Sequence, residues 1–584
     1  MKHVFGMLLF LSAIFPMLVS AQTDTVYVNG VFSGGAEGDL NTAVKAAADA
    51  GTLSTKVFKL NLGDKYIITE TMTVPVGKRL TIVANDYGSD LNMGPAQILW
   101  TSTGGITTTY NFDCFGDITL KNIWVLYANS SGNQTGTSIR IEDSPDTING
   151  QHGTFEGCLF DYSQIGADGG GAVNVTAKHF RGSFTNCYFR NCSDPHYRYY
   201  GRAVSFPFNS TGWHTDSLTF VNCTFSNLGY VIMQEGSEYT SFLSMNHCTL
   251  INTIMFALES TWWHWLSITN SVFQNTYMYG DLGDNGGNPF GGTFAIDSVK
   301  NFGFTPPFTD AERHILFANS AYYDEPWLVD YMAHNTYSDT AHAPMIPKPM
   351  PMLGPRTLMF LDTTDGVGNK IWPLMNRANL SNGVNPAFLS VPTNIDSIKW
   401  FLFYKWTNNA DANWAFDITT SILATWPPSE VLRIPSSNTL KTAGLGGFPL
   451  GALFPWDRSK YTAWKAQEVT ENRRILQWLT TGTDPGPLSV EQQPGIPIEP
   501  FLSQNYPNPF NPTTQISYSV PQKGNVALKV FNVLGMEVAT LFSGVQDAGE
   551  YAATFDAARF SSGVYFYRLQ AGSVSITKKM LFVK

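Results

Sequence analysis

The sequence predicts an all-β protein, in which a right-handed parallel β-helix with an N-terminal capping helix is followed by a small antiparallel β-sandwich. Three observations support this fold class. A strand-like segment recurs through the first part of the chain, an alternating strand pattern occupies residues 501–584, and only 14% of the 584 residues are charged. A low charge content together with abundant Gly, Asn, Ser and Thr is typical of β-rich proteins with many turns.

The repeat is the strongest of these three observations. Each copy is an alternating strand with apolar residues at its first, third and eighth positions, interrupted by Asn and then by Cys or another small residue. The spacing fits one coil of three short strands and a variable loop. A β-propeller is the second choice, because the shortest spacings fall below the 40–50 residues or so of a four-stranded blade. The copies are residues 118–125, 153–160, 182–189, 218–225, 243–250, 266–273 and 315–322.

Coils of this kind bury their inward residues only when they stack, about 4.8 Å apart, so that like residues lie on like. The sequence therefore predicts an interior stack made of Phe160, Phe189, Phe225, Leu250 and Phe273. It also predicts a ladder of side-chain amides along one turn, formed by Asn186, Asn222 and Asn270, with interruptions at Gly157 and His247.

Six cysteines would suggest a disulfide framework if the chain enters an oxidising compartment. Four of them, however, occupy one register of successive coils: Cys158, Cys187, Cys223 and Cys248. Side chains that point side by side have poor geometry for bridging, and a small apolar residue suits a stacked interior row. We therefore expect buried free thiols, with a local Cys187–Cys192 bridge as the alternative. No metal-binding cysteine or histidine motif is present, so no metal site and no cofactor are expected.

The remaining segments set the domain boundaries. Residues 1–21 have the short positive start, the apolar stretch and the small-residue cleavage site of a secretory signal peptide. The β-helix is expected over 22–480, starting with an amphipathic helix that Asp39 or Asn41 caps and Gly51 ends. Residues 281–455 indicate large loops and a few further coils. A helix at 458–479 is expected to close the C-terminal end, before a Pro- and Gly-rich linker at 481–500.

Residues 501–584 contain short alternating strands separated by turn sequences, which predicts an antiparallel β-sandwich. The segment also closely resembles the type A sorting domain of the type IX secretion system of the Bacteroidetes and their relatives. The resemblance implies export across the outer membrane of a Gram-negative bacterium, through contact with the secretion machinery, to the cell surface or the medium. The matching residues are Tyr506, Pro507, Asn508, Pro509, Phe510, Asn511, Pro512, Leu534, Gly535, Ala548, Gly549, Ser562, Gly563, Val564, Tyr565, Lys578, Lys579, Met580 and Lys584.

The coil pattern of residues 24–330 is similar to the pectin-lyase-like superfamily, which contains polysaccharide-degrading enzymes and non-catalytic surface proteins. Polygalacturonases of that superfamily carry aspartates at set positions of the coil. At the corresponding positions this sequence has one acidic residue, Asp168. Glycoside hydrolysis needs a pair of carboxylates. Loop charges and a tryptophan cluster are the remaining candidates for ligand binding: Arg202, Glu235, Glu259, Trp262 and Trp263.

We therefore expect a secreted or cell-surface protein that binds glycans, mediates adhesion or serves as surface structure. The alternative is an extracellular polysaccharide lyase or another carbohydrate-active enzyme of the pectin-lyase-like superfamily, and Ca²⁺ is considered only for the lyase. The tryptophans either stack on sugar rings or pack beneath the loop at 281–310. A net charge of -10 and the lack of a basic tract argue against a nucleic-acid partner. No segment after the signal peptide is long and apolar enough to be expected to span a membrane.

Overall fold

A computed structural model of the chain divides into two compact units, one within Ser20–Pro487 and one that holds Leu488–Lys584. The structure describes residues 24–87, 93–103, 110–135, 138–143, 150–163, 171–192, 201–206, 214–233, 239–255, 257–259, 263–280, 292–300, 306–336, 346–391, 394–407, 423, 426–486, 501–502, 505, 510–520, 524–547, 549–571 and 574–584.

The larger unit is a parallel β-helix, which confirms the predicted fold class. Along the chain, strands enter three parallel stacks in turn, which we name sheets A, B and C. Sheet A consists of Asp24–Tyr27, Lys56–Leu60, Arg79–Ala84, Asp117–Lys121, His152–Glu156, Arg181–Thr185, His214–Val221, Tyr239–Asn246 and Trp263–Thr269. Sheet B consists of Lys65–Ile68, Ala96–Trp100, Ile123–Asn129, Leu159–Asp161, Tyr188–Cys192, Thr224–Leu228, Thr249–Thr253 and Val272–Thr276. Sheet C consists of Met72–Val74, Phe112–Cys114, Ile139–Ile141, Gly171–Val175, Arg202–Ser205, Tyr230–Met233 and Leu258–Glu259.

At the C-terminal end, the long strand His314–Tyr323 pairs with the last strand of sheet A and with the last strand of sheet B. A second long strand, Met375–Asn382, pairs with His314–Tyr323. All these pairings are parallel, whereas a propeller blade is antiparallel. The propeller alternative is therefore wrong.

The predicted interior stack is confirmed. Phe160, Phe189, Phe225, Leu250 and Phe273 pair in that order along sheet B, and each of them is fully buried. The ring centroids of Phe160 and Phe189 lie 4.4 Å apart, and those of Phe189 and Phe225 lie 5.3 Å apart. Sheet A supplies a second stack, in which Phe155, Phe184 and Phe220 lie 4.8 and 4.9 Å apart. Stacked aromatic rings thus fill the interior of the coil along sheets A and B.

The turn between sheets A and B, which we name the AB corner, has a left-handed backbone in eight successive coils. Asparagine tolerates that conformation best among residues with a side chain. Positive φ angles are found at Asn122, Gly157, Asn186, Asn222, His247, Asn270, Asn319 and Asn379. The amide ladder is confirmed at one rung, where Asn222 donates to Asn186 over 2.7 Å. Because His247 interrupts the row, Asn270 donates instead to Asn246, over 2.8 Å.

The four cysteines in register occupy the position immediately after the AB corner. The thiol of Cys187 donates to the carbonyl of Phe155 in the preceding coil over 3.3 Å, and Cys158, Cys223 and Cys248 make the equivalent contacts. All six cysteines are free and buried, and burial raises the pKa of the Cys187 thiol well above its ordinary value. The cysteines are therefore part of the interior packing.

The predicted N-terminal helix is present at Asp39–Asp49, and its buried Leu40, Val44 and Ala47 belong to the main core. It packs on the strands Lys65–Ile68 and Met72–Val74, so it covers the N-terminal end of the coil. The predicted capping residue is wrong. Gly38 occupies the N-cap position in a left-handed conformation, and the carboxylate of Asp39 accepts from the backbone of Ala36 over 2.7 Å.

The described part of the segment predicted to hold loops and further coils contains three helices: Pro326–Ala333, Pro355–Asp362 and Ile395–Trp406. The two long C-terminal strands are the further coils. Short 3₁₀ turns are found at Val31–Ser33, Leu53–Thr55, Asp310–Glu312, Thr439–Thr442 and Leu445–Gly447.

The single helix predicted at 458–479 is two helices, Arg458–Lys465 and Glu468–Thr481, and the prediction that it closes the C-terminal end is wrong. Residues 443–481, which we name the strap, lie along the AB corner. The strap runs from Asn319 back to Asn186, where Tyr461 accepts from the asparagine amide over 2.7 Å, and then returns to His314. The polar groups of the corner explain this position, since they need hydrogen-bond partners.

The C-terminal unit is an antiparallel sandwich, as predicted. One sheet contains Phe501–Leu502, Thr513–Val520 and Gly549–Asp556, and the other contains Gly524–Phe531, Glu537–Gln546, Gly563–Ala571 and Val574–Phe582. The two sheets enclose their own apolar core, which includes Ile516, Leu528, Tyr567 and Met580.

Candidate functional site

The outward face of sheet A carries one row of short hydroxyl side chains, which we name the hydroxyl row. Seven successive strands place a Thr or Ser at the same register position, and the row consists of Thr81, Thr119, Thr154, Ser183, Thr219, Ser244 and Ser267. At about 4.8 Å between neighbouring strands, the row is about 29 Å long. Thr219 and Ser267 are buried and the other five are partly exposed.

Charged side chains flank the hydroxyl row on both sides. On one side, Arg79 and Asp117 form an ion pair of 3.0 Å. On the other side, Lys121 and Glu156 form a pair of 2.9 Å whose side chains are nearly half exposed. Burial alone would raise the pKa of Asp117, but hydrogen bonds from His152 and Arg79 outweigh it and hold that pKa below its ordinary value. The face is thus a narrow polar strip with hydrogen-bonding groups at a constant repeat.

Sequence reasoning missed this strip, although the pattern that marks it is present in the repeat. In six of the seven repeat copies the second residue is Thr or Ser, beginning with Thr119 and ending with Ser267. The predicted fold rests on the apolar first, third and eighth positions of the repeat. The second position points outward, because strand residues alternate between the two faces of a sheet.

A cluster of His179, His214 and Asp216 lies at the start of two neighbouring strands of sheet A. One ligand atom from each residue lies within 4.8 Å of the other two. The Oδ1 atom of Asp216 is 3.0 Å from Nδ1 of His179 and 3.5 Å from Nε2 of His214. Among the described residues, this is the one cluster of three or more His, Cys, Asp or Glu side chains that could hold a metal ion.

The surroundings hold the cluster in place. Arg181 donates to Oδ2 of Asp216 through Nε and Nη2, over 3.1 and 2.9 Å, and leaves Oδ1 facing the histidines. The ring of His214 stacks on Tyr239 at 4.8 Å, with the planes only 3° apart. Burial would raise the pKa of Asp216, but hydrogen bonds from His214 and His179, with the charge of Arg181, lower it. Asp216 is therefore ionised at neutral pH.

Of the ligand-binding residues proposed from the sequence, the structure fully describes Arg202 and Trp263, which lie in different sheets. Trp263 is fully buried in the main core and cannot present its ring to a sugar in solution. Arg202, expected on a loop, is the first residue of a strand of sheet C and is only 1% exposed. Glu259 ends another strand of sheet C. Its side chain, Glu235 and Trp262 lie outside the described residues, as do Asp168 and Tyr506–Pro509.

The tryptophan cluster has two interpretations, stacking on sugar rings and packing beneath the loop at 281–310. Its described neighbours support the packing interpretation. His264 stacks on Phe308 of that loop at 4.5 Å, and Trp265 stacks on His314 at 3.4 Å. Exposed aromatic rings lie elsewhere, for example on the helix Ile395–Trp406, where Trp400 is 47% and Phe403 is 45% exposed. That helix falls in the segment expected to form loops, and the sequence did not reveal it.

In the C-terminal unit, Phe510 joins the start of the domain to its last strand. Its backbone N–H donates to the carbonyl of Leu581 over 3.0 Å, and its own carbonyl accepts from Val583 over 3.1 Å. The ring of Phe510 packs on those of Phe555 and Phe582, with centroids 6.0 and 5.2 Å away. The start and the end of the unit are thus joined in one core.

Residues 504–584 match the family model described as the secretion system C-terminal sorting domain. The C-terminal unit is a type IX secretion sorting domain. The protein is therefore an exported one, secreted or held at the cell surface. The match covers the sorting domain alone and leaves the β-helix unassigned. A search of curated proteins found no match to the chain.

The sorting domain presents its predicted signal residues in different ways. Asn511 and Pro512 are exposed next to the buried Phe510, and Lys579 is exposed on the last strand while Lys578 is partly buried. Gly563 begins the strand that contains Tyr565, whose side chain is almost fully buried and donates to the carbonyl of Ser561 over 2.8 Å. Exposed residues of this set are available to the secretion machinery, and the buried ones belong to the core. Among the described residues, no helix is long and apolar enough to cross a membrane.

Proposed function

We propose that the exported β-helix is a glycan-binding protein of the cell surface, and that the outward face of sheet A is its binding face. The hydroxyl row carries this proposal. A hydroxyl group both donates and accepts hydrogen bonds, so a row of them suits the hydroxyl groups of a sugar. The constant spacing of the row suits an extended polymer, which presents equivalent groups at regular intervals.

The flanking charges support the same proposal. Arg79, Asp117, Lys121 and Glu156 line the strip, and each of these side chains is at least one quarter exposed. Charge-assisted hydrogen bonds from such groups are stronger than neutral ones. Because each of these acidic side chains pairs with a basic one, the strip suits a neutral or weakly charged polysaccharide better than a highly acidic one.

The test is a binding screen of the full chain against soluble polysaccharides, followed by affinity measurement on the best ligand. Replacing Thr119 and Thr154 by Val and Ser183 by Ala removes three hydroxyls while keeping the strands. At about 0.5–1.5 kcal/mol per hydrogen bond, the affinity should fall by a factor of about 10 to 2,000. The control pair Thr42→Val and Thr73→Val, on the N-terminal helix and on sheet C, should bind like the parent protein.

Two outcomes contradict the proposal. Equal affinities of the triple variant and the parent protein would show that the hydroxyl row is not the binding face. An increase in ultraviolet absorbance from unsaturated sugar products would show that the protein is a polysaccharide lyase, the alternative function.

A further inference from the structure

We infer that His179, His214 and Asp216 form a binding site for a divalent transition metal ion, with Zn²⁺ as the best match. The inference does not depend on whether the face of sheet A binds a glycan. It rests on the distances within the cluster, on the orientation of the carboxylate and on the exposure of the site.

The distances fit the geometry of a small metal ion. Zinc lies about 2.0–2.2 Å from His nitrogen and Asp oxygen atoms, which places two ligands of a tetrahedral site about 3.3 Å apart. The Oδ1 atom of Asp216 is 3.0 Å from the nitrogen of His179 and 3.5 Å from that of His214. All three ligand atoms lie within 4.8 Å of one another, so the two histidine side chains need only move towards each other to place an ion between the three atoms.

Two sets of hydrogen bonds orient the ligands. Arg181 holds Oδ2 of Asp216 through two hydrogen bonds, so the carboxylate presents Oδ1 alone to the histidines. The backbone N–H of His179 donates to the carbonyl of His214 over 3.1 Å, which fixes the two ligand-bearing backbones to each other. Outer partners of this kind fix the orientation of metal ligands in known sites.

The chemistry of the ligands favours a transition metal ion over Ca²⁺ and Mg²⁺. Imidazole nitrogen suits zinc, copper, nickel and iron, whereas Ca²⁺ and Mg²⁺ require a shell of oxygen ligands. The side chains of His179 and His214 are 30% and 21% exposed, so an ion can enter from solution. Three protein ligands also leave a fourth position for water or another small ligand, as in open zinc sites.

The experiment is zinc titration of the chelator-treated full chain in competition with a chromophoric chelator. We expect one Zn²⁺ per chain and no displacement by excess Ca²⁺. His179→Ala and His214→Ala should each lower the affinity more than about 100-fold, and Arg181→Ala should lower it about 10- to 100-fold. The control His334→Ala, an exposed histidine at the end of the helix Pro326–Ala333, should leave the affinity unchanged.

Co²⁺ bound to the unaltered protein gives a second readout that needs no variant. Nitrogen and oxygen ligands should give visible d–d bands without the near-ultraviolet charge-transfer band of a thiolate. A thiolate band would place the ion on the cysteines and overturn the inference. Zinc binding that survives both histidine substitutions, or no stoichiometric binding at all, would also overturn it.

Discussion

Asn222 should be the most sensitive polar residue of the AB corner. Its carbonyl oxygen accepts from the backbone N–H groups of Leu453 and of Phe454, the latter over 3.2 Å, and its amide donates to Asn186 over 2.7 Å. The backbone of Asn222 is left-handed, with φ of 56°. One side chain therefore joins two coils to the strap and supports a strained turn.

Asn222→Ala removes all three hydrogen bonds and leaves two buried N–H groups without a partner. Each such group costs about 1–3 kcal/mol. Alanine in the left-handed region adds about 1–2 kcal/mol. We therefore expect the strap to be destabilised by about 3–8 kcal/mol.

Hydrogen exchange followed by mass spectrometry measures this effect locally, at the amides of Leu453 and Phe454. Their exchange should be faster by at least about 100-fold, since each 1.4 kcal/mol or so changes an equilibrium tenfold. Asn379 offers a matched control, because it occupies the same turn position of the last coil, with φ of 51°, and is exposed. Asn379→Ala should cost only the strain, about 1–2 kcal/mol. Equal effects of the two substitutions, with unchanged exchange at Leu453, would refute this account of the corner.

Three further predictions concern the core and the titratable groups. Phe189→Ala empties the middle of the interior stack and should lower the free energy of unfolding in urea by about 3–5 kcal/mol, whereas the exposed Phe403→Ala should change it by less than about 0.5 kcal/mol. Burial raises the pKa of Asp324 from 3.8 to about 7, so its contribution to stability is full below about pH 4 and is lost as the pH rises through about 7. Thermal melting should therefore show that Asp324→Asn is more stable than the parent protein at about pH 8 and equal to it at about pH 4. The buried thiols, Cys187 among them, should resist iodoacetamide at about pH 8 in the folded protein and react fully in denaturant, as counted by mass spectrometry.

The repeat made the coil predictable because its inward residues are selected by packing alone. Phe160, Phe189 and Phe225 recur at a fixed position, and a fixed position in a stacked coil implies contact. The corner asparagines were predictable for a similar reason, since a left-handed turn restricts the residue types that fit. Local rules of this kind act within one coil or between neighbouring coils, so they are visible in the sequence.

Contacts between distant segments were not predictable in this way. Glu471 lies 225 residues from Asn246, whose amide donates to it over 2.9 Å, and no periodicity connects the two. The placement of the strap along the corner, rather than across the end of the coil, depends on such pairs. The cluster at His179 and Asp216 was missed because its residues lie in neighbouring coils, 37 positions apart, without a local motif.

The course of the strap has a consequence for how the protein matures. Tyr461 meets Asn186 across 275 positions of the chain, so that contact cannot form until almost the whole larger unit has been synthesised. A solenoid whose rungs touch only their neighbours can assemble, and come apart, one rung at a time. Here the last segment of the unit returns to bind several rungs at once. Because the strap binds last, one final folding step stabilises several coils together. A chain truncated before residue 443 would form its coils but lack the strap contacts that hold them together.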